Sequence, residues 1–370
     1  MGFIIGKKNI DKFYIFIKSF IIVLLLLINE KIYFIKRNNT KIKVGVVGLA
    51  NSNNIGNNLV KFSIYTKLKE LGFDPTIIGS SYKSHNIDFL KRHVKLKEIK
   101  KTFSELREKE YDILMVNSDQ TWNGNKRNTS RLLNYGFLKF AENWKIPRFV
   151  YGASLGQNKW KYTKEFDSIA SYLLTKFSGI SVREKGLIKL VEKHLGVHPE
   201  FVLDPTLLID KKYYLELIKD FKANLKYNEK YLCVYQLDKN VLIEKLIREI
   251  SKKYNYKINI VNRYKDKYIE NFIFYLNISN AVITDSFHGT IFSIIFKKPF
   301  ISYLNSRRGK DRFLSLIETF NLGKRIIFPR DFKKVNINLL KTPLNINQSL
   351  LNYLKSNSIN YLKKNLDIKK

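Results

Sequence analysis

The chain has a single cysteine, Cys233, among 370 residues. One cysteine excludes an intrachain disulfide and any cysteine-rich metal site. Cys233 lies in an apolar stretch and reads as core. Acidic residues are also scarce: 32 Asp+Glu stand against 67 Lys+Arg, a formal charge of +35. That excess attracts polyanions and acidic surfaces. The lysines are dispersed, however, with no long basic block, so no specific nucleic-acid partner is expected. The apolar run at residues 20–28 (FIIVLLLLI) falls short of the roughly 20 residues that a spanning helix needs. No small-residue cleavage site follows it, which speaks against a cleaved signal peptide. The spacing of Gly48 and Gly56 is too long for the dinucleotide pattern G-x-G-x-x-G, so no nicotinamide cofactor is expected.

What is present reads as a globular protein of two domains: 45% apolar residues and a length beyond one typical core. Residues 1–40 stand apart. Their apolar run is flanked by Lys7, Lys8, Lys12, Lys31, Lys36 and Arg37. We read an apolar helix lying on an anionic membrane surface, with a buried cover helix or a spanning anchor as alternatives. The expected location is cytoplasmic, peripheral at the inner face of the membrane.

The remaining chain alternates strands and helices. Strands are expected at 43–47, 76–78, 112–116, 149–152, 179–182 and 201–203. A second set is expected at 231–235, 258–261, 281–284 and 300–303. Helices are expected at 57–71, with Lys61, Lys67 and Lys69 facing out, from 183 to 195, and at 241–254, 270–278, 291–296, 313–320 and 348–365. Residues 80–110 are Lys-rich and poorly patterned. This order predicts an α/β protein with two Rossmann-like domains, 41–215 and 216–345, facing a cleft in the GT-B manner, and a helical tail at 346–370.

Ligands in such folds sit at the carboxyl ends of strands, beside helix N-termini. The stretch 281–290 (AVITDSFHGT) is a buried strand running into a polar turn before an apolar helix. His288 stands at the helix start, where it can carry a proton near neutral pH. Residues 117–122 (NSDQTW) follow another strand. An acid, an amide and an indole there suit a sugar: polar groups for hydroxyls, an aromatic face for the ring. Arg183 ends a strand and can fork onto a carboxylate or phosphate. The loop 305–312, with Arg307, Arg308 and Arg312, is the best anion-binding candidate. Asp204-Pro205-Thr206 reads as a structural stop. His85, His93, His194 and His198 read as surface residues, without ligand spacing.

Six motifs stand in order: Asn54-Ile55-Gly56, residues 117–122, residues 151–156 (YGASLG), residues 180–185 (ISVREK), residues 203–208 (LDPTLL) and residues 284–290 (TDSFHGT). Together, over about residues 42–325, they resemble the polysaccharide pyruvyl transferase family. The chain departs from it at Asn57, where the family often has aspartate after the glycine. The resemblance implies a GT-B-like fold and transfer of pyruvate from phosphoenolpyruvate onto a sugar of a polysaccharide, or of its lipid-linked precursor, as a ketal. It implies His288 as general acid and Asp119 at the acceptor hydroxyl. Arg183, Ser286, Gly289, Thr290, Arg307, Arg308 and Arg312 would bind the donor. Asn53, Asn54, Gly56, Asn57, Gln120 and Trp122 would bind the acceptor. No cofactor or metal is implied. A nucleotide-sugar glycosyltransferase on the same architecture, or a non-catalytic polyanion-binding protein, are the alternative readings.

Overall fold

Strand β1 (Lys43–Val47) is followed by the helix Ile55–Glu70, β2 (Asp74–Ser80), the helix Ile87–His93 and β3 (Leu96–Ile99). Then come β4 (Ile113–Val116), β5 (Arg148–Ala153), β6 (Gly179–Val182) and β7 (Glu200–Phe201). The second lobe contains β8 (Lys230–Tyr235), β9 (Tyr256–Ile260), β10 (Ala281–Thr284), β11 (Phe300–Tyr303) and β12 (Ile326–Ile327). These come from a computed structural model, which describes residues 41–48, 54–80, 87–124, 129–157, 159–221, 229–262, 267–305 and 309–367. The expected N-terminal helix lies outside the described residues. Among those residues no helix is long and apolar enough to cross a membrane.

The central strands are nearly continuous apolar runs. In β4, β10 and β11 every residue is buried, as parallel strands covered on both faces require. The first sheet runs β3-β2-β1-β4-β5-β6-β7 and the second β12-β11-β10-β8-β9. Every strand pair is parallel. Strand order reverses between β1 and β4 in one sheet and between β8 and β10 in the other. Crevices open beyond the strands at such points. The loops carrying Asp119 and His288 leave from these two switch points.

Residues 80–110 contain the helix Ile87–His93 and β3, an edge strand in which Lys97 and Glu98 break up the apolar signal. The helix expected to start at 291 starts at Phe287, so His288 and Gly289 lie inside its first turn. His93 packs on Phe62 and Phe89, and His194 stacks on Trp160 at 4.9 Å; neither is a plain surface residue. The C-terminal helix Gln348–Leu366 packs on the first sheet: Tyr361 Oη donates to the Val150 carbonyl at 2.6 Å, and Ser358 Oγ accepts from Leu203 N at 2.9 Å.

Candidate active site

The first sheet supplies three charged side chains from three strand ends. Asp119 follows β4 with a φ of 102°, a conformation rare for any residue but glycine, and its backbone bridges Ala153. Arg183 ends β6. Asp204 follows β7 and caps the turn Pro205–Leu207, accepting from Thr206 N at 3.1 Å and Thr206 Oγ1 at 2.6 Å. The Arg183 guanidinium forks between the two acids: Nη1 donates to Asp204 Oδ2 and Nη2 to Asp119 Oδ1, the latter at 2.9 Å. Asn57, in the first turn of the helix Ile55–Glu70, donates from Nδ2 to Asp119 Oδ2 at 2.9 Å. All four side chains are buried.

The second lobe contributes His288. Ser286 caps its helix by accepting from Gly289 N at 3.2 Å. Gly289 is required there, because a Cβ would overlap Thr284 Oγ1. The imidazole reaches across to the first lobe. Asn54 caps the facing helix by accepting from Gly56 N, and a Cβ at Gly56 would overlap the His288 ring. His288 Nε2 lies 3.6 Å from Asp204 Oδ2, too long for a hydrogen bond, and has no hydrogen-bond partner among the described residues. Two guanidiniums lie over the Phe287 ring, Arg183 at 5.4 Å and Arg312 at 4.9 Å from its centroid.

These neighbours separate the acids electrostatically. Burial would raise the Asp119 carboxyl, but Arg183, His288 and Arg312 outweigh it and hold it at about 2. Asp204 is likewise held well below the usual carboxylate range: burial opposes ionisation, and Arg183 and His288 overcome it. Glu184 moves the other way, because burial raises it more than Arg183 and Ser154 lower it. Burial and the Arg183 charge pull Arg312 down to about 10. Lys61, one turn after Asn57, is 1% exposed; burial pulls it down to about 7 against the field of Asp119.

The structure therefore brings His288, Asp119, Arg183, Arg312, Gly56 and Asn57 together across the lobes. Three other candidates serve packing. Trp122 is fully buried, stacks on Phe137 at 5.1 Å and donates from Nε1 to the Gly136 carbonyl, so it offers no ring face to a sugar. Ser286 is the helix cap. The Thr290 hydroxyl donates to Ser286 O at 3.0 Å and meets Ser302 Oγ at 2.7 Å, so both hydroxyls are already used within the fold. Gln120 is half-buried, against Gly156, and accepts from Asn123 Nδ2 at 3.1 Å. Asn53, Arg307 and Arg308 lie outside the described residues. Lys61 and Lys67, expected to face out from their helix, are instead buried, while Asp204 and Glu184 were not among the expected site residues. The Asp-Pro-Thr stop carried the signal for Asp204, but an ordinary cap has the same pattern.

The family model for polysaccharide pyruvyl transferase matches residues 54–307. No curated protein sequence matches the chain. Among solved structures, the UDP-GlcNAc 2-epimerase from Methanocaldococcus jannaschii is similar over 83% of this chain and 94% of its own, at 14% identity and a TM-score of 0.50. The UDP-GlcNAc 2-epimerase from Neisseria meningitidis, bound to UDP-GlcNAc, aligns over 87% and 100%, at 13% identity and a TM-score of 0.49. CalG4, the calicheamicin glycosyltransferase, aligns over 88% and 94%, at 10% identity and a TM-score of 0.43. At 14% identity the likeness to the Methanocaldococcus jannaschii epimerase concerns the fold alone, the two-lobed GT-B arrangement. The family match takes in both lobes, from the Asn54 cap past His288 and over most of the chain; the protein belongs to the polysaccharide pyruvyl transferase family.

Proposed function

We propose that the protein transfers pyruvate from phosphoenolpyruvate onto two hydroxyls of a sugar, forming a ketal. One observation carries this reading: His288, at a helix N-terminus, reaches the charged cluster of the opposite lobe with Nε2 unpartnered among the described residues. The reaction needs a proton at C3 of the enol phosphate and electrophilic character at C2. His288 donates that proton. Attack of a sugar hydroxyl at C2 and departure of phosphate complete the transfer. Arg312 and the basic loop before it receive the donor's carboxylate and phosphate. Arg183 acts less as a free clamp than as the centre that holds Asp119 and Asp204 in place, since its fork is spent on them.

Asp119, with Asn57, Gly56 and Asn54, faces the acceptor side, where sugar hydroxyls find a fixed acceptor oxygen. No cofactor or metal takes part in this scheme. The acceptor is a sugar of a cell-surface polysaccharide or its lipid-linked precursor, and the +35 charge suits work at the inner face of an anionic membrane. Calorimetric titration tests the donor. Saturable binding of phosphoenolpyruvate, with UDP-sugars failing to bind, supports the proposal. Binding of a UDP-sugar without phosphoenolpyruvate would replace it with nucleotide-sugar transfer.

A further inference from the structure

Glu184 is buried at 2% exposure beside the site, and the scheme above gives it no task. Its Oε1 has no hydrogen-bond partner among the described residues. The nearest charged atom, Arg183 Nε, is 3.6 Å away and is also without a hydrogen bond; the buried hydroxyl of Ser154 faces the carboxyl and favours its charged form, but makes no hydrogen bond of normal geometry. Buried polar atoms are rarely left unsatisfied, and each one calls for a reason. Here three of them belong to side chains at the ends of two adjacent strands, β5 and β6. A ligand polar group would satisfy such an arrangement.

The proton count of the reaction shows what the group would be. Two hydroxyls each lose a proton, C3 gains one, and the departing phosphate takes the other. His288 can supply C3, but something else must accept from the first hydroxyl. Asp119 and Asp204 are poor candidates: Arg183 binds both, and both are stabilised as anions. Resting on the function proposed above, we propose that Glu184 is a second catalytic residue, the base for the first acceptor hydroxyl. In the first half, the hydroxyl oxygen bonds to C2 and its proton passes to Glu184. The C2–C3 π pair meanwhile takes a proton from His288. In the second half, the other hydroxyl attacks C2 and the C2–O bond to phosphate breaks. Neutral His288 takes that hydroxyl's proton, and Glu184 returns its own to the phosphate. Both residues end as they began.

A buried carboxyl flanked by arginines is suited to this exchange, because its charged and neutral forms lie closer in energy than those of Asp119. The charged and polar groups facing Glu184 are Arg183 and Ser154 from the first lobe, and Arg312 and Asp311 from the helix Lys310–Phe320. As a base it must be ionised, so turnover should fall on the acid side as Glu184 protonates.

The test uses the full chain with phosphoenolpyruvate and a panel of p-nitrophenyl hexosides whose 4- and 6-hydroxyls form a 1,3-diol. Glu184→Gln should bind phosphoenolpyruvate within about threefold of wild type by calorimetry. It should lose ~10²–10³-fold in kcat and show no acid limb in its pH profile. Turnover within threefold of wild type, or an unchanged acid limb, overturns the assignment. Should Glu184→Gln not fold, Ser154→Ala decides. Losing the hydroxyl beside the carboxylate should move the acid limb to higher pH with the plateau retained; an unmoved limb counts against Glu184. A wild type that transfers from UDP-sugars but not from phosphoenolpyruvate overturns the underlying function instead, and this role with it.

Discussion

Gly56 and His288 belong to opposite lobes, and the imidazole occupies the space that a side chain at position 56 would need. The helix start in one lobe is thus shaped to receive the imidazole of the other. Gly56→Ala should displace the ring while leaving each lobe's core intact. We expect turnover to fall by ~10²-fold and stability by ~1–3 kcal/mol. Steady-state kinetics and a denaturant titration check both. Full activity in Gly56→Ala would mean that the lobes dock differently during catalysis.

Removing Arg183 should act on the fold as much as on the donor. Arg183→Ala leaves Asp119 and Asp204 buried without their shared partner. A loss of ~3–5 kcal/mol is expected. Arg183→Lys keeps one charge but cannot fork, and should fall between wild type and alanine. Thermal unfolding measures this. A variant of wild-type stability would contradict the role given to the guanidinium.

Lys61 should make stability rise with pH. Its ordinary value is 10.5, and burial brings it to about 7 in the folded state. Between those values the unfolded chain binds more protons than the folded one, so folding becomes more favourable as pH rises from about 7 to 10.5. Lys61→Met should remove that slope and, near pH 7, stabilise the protein by a few kcal/mol, on the order of the shift at ~1.4 kcal/mol per unit. Urea titrations across this pH range test the sign.

Trp122 tests the boundary between core and site. Trp122→Phe keeps the stack on Phe137 but loses the Nε1 hydrogen bond to Gly136. Stability should fall by ~1–2 kcal/mol with the acceptor KM unchanged. A raised acceptor KM at unchanged stability would return the indole to the sugar site.

Much of this architecture was legible in the sequence because the central strands are buried on both faces and read as unbroken apolar runs. The 281–284 strand and the helix after it placed His288 correctly at a strand end. Trp122 misled because polar neighbours surround it in sequence, whereas in space its partner is Phe137, fifteen residues on. Asp204 and Arg183 are 21 residues apart and meet only once β6 and β7 pair. No local pattern records that meeting. Lys61 was hidden for a related reason: on a helix rich in lysines, burial of one of them depends on the loop from a distant strand.

Transfer carried out in deuterium oxide tests the central claim most directly. If His288 delivers a solvent-exchangeable proton to C3 of phosphoenolpyruvate, the ketal methyl group should carry one deuterium by mass spectrometry. His288→Asn should fold, bind phosphoenolpyruvate within a few-fold, and lose ~10²–10⁴ in the rate of labelled ketal formation. A ketal methyl without deuterium, or His288→Asn forming labelled ketal at the wild-type rate, would contradict the account.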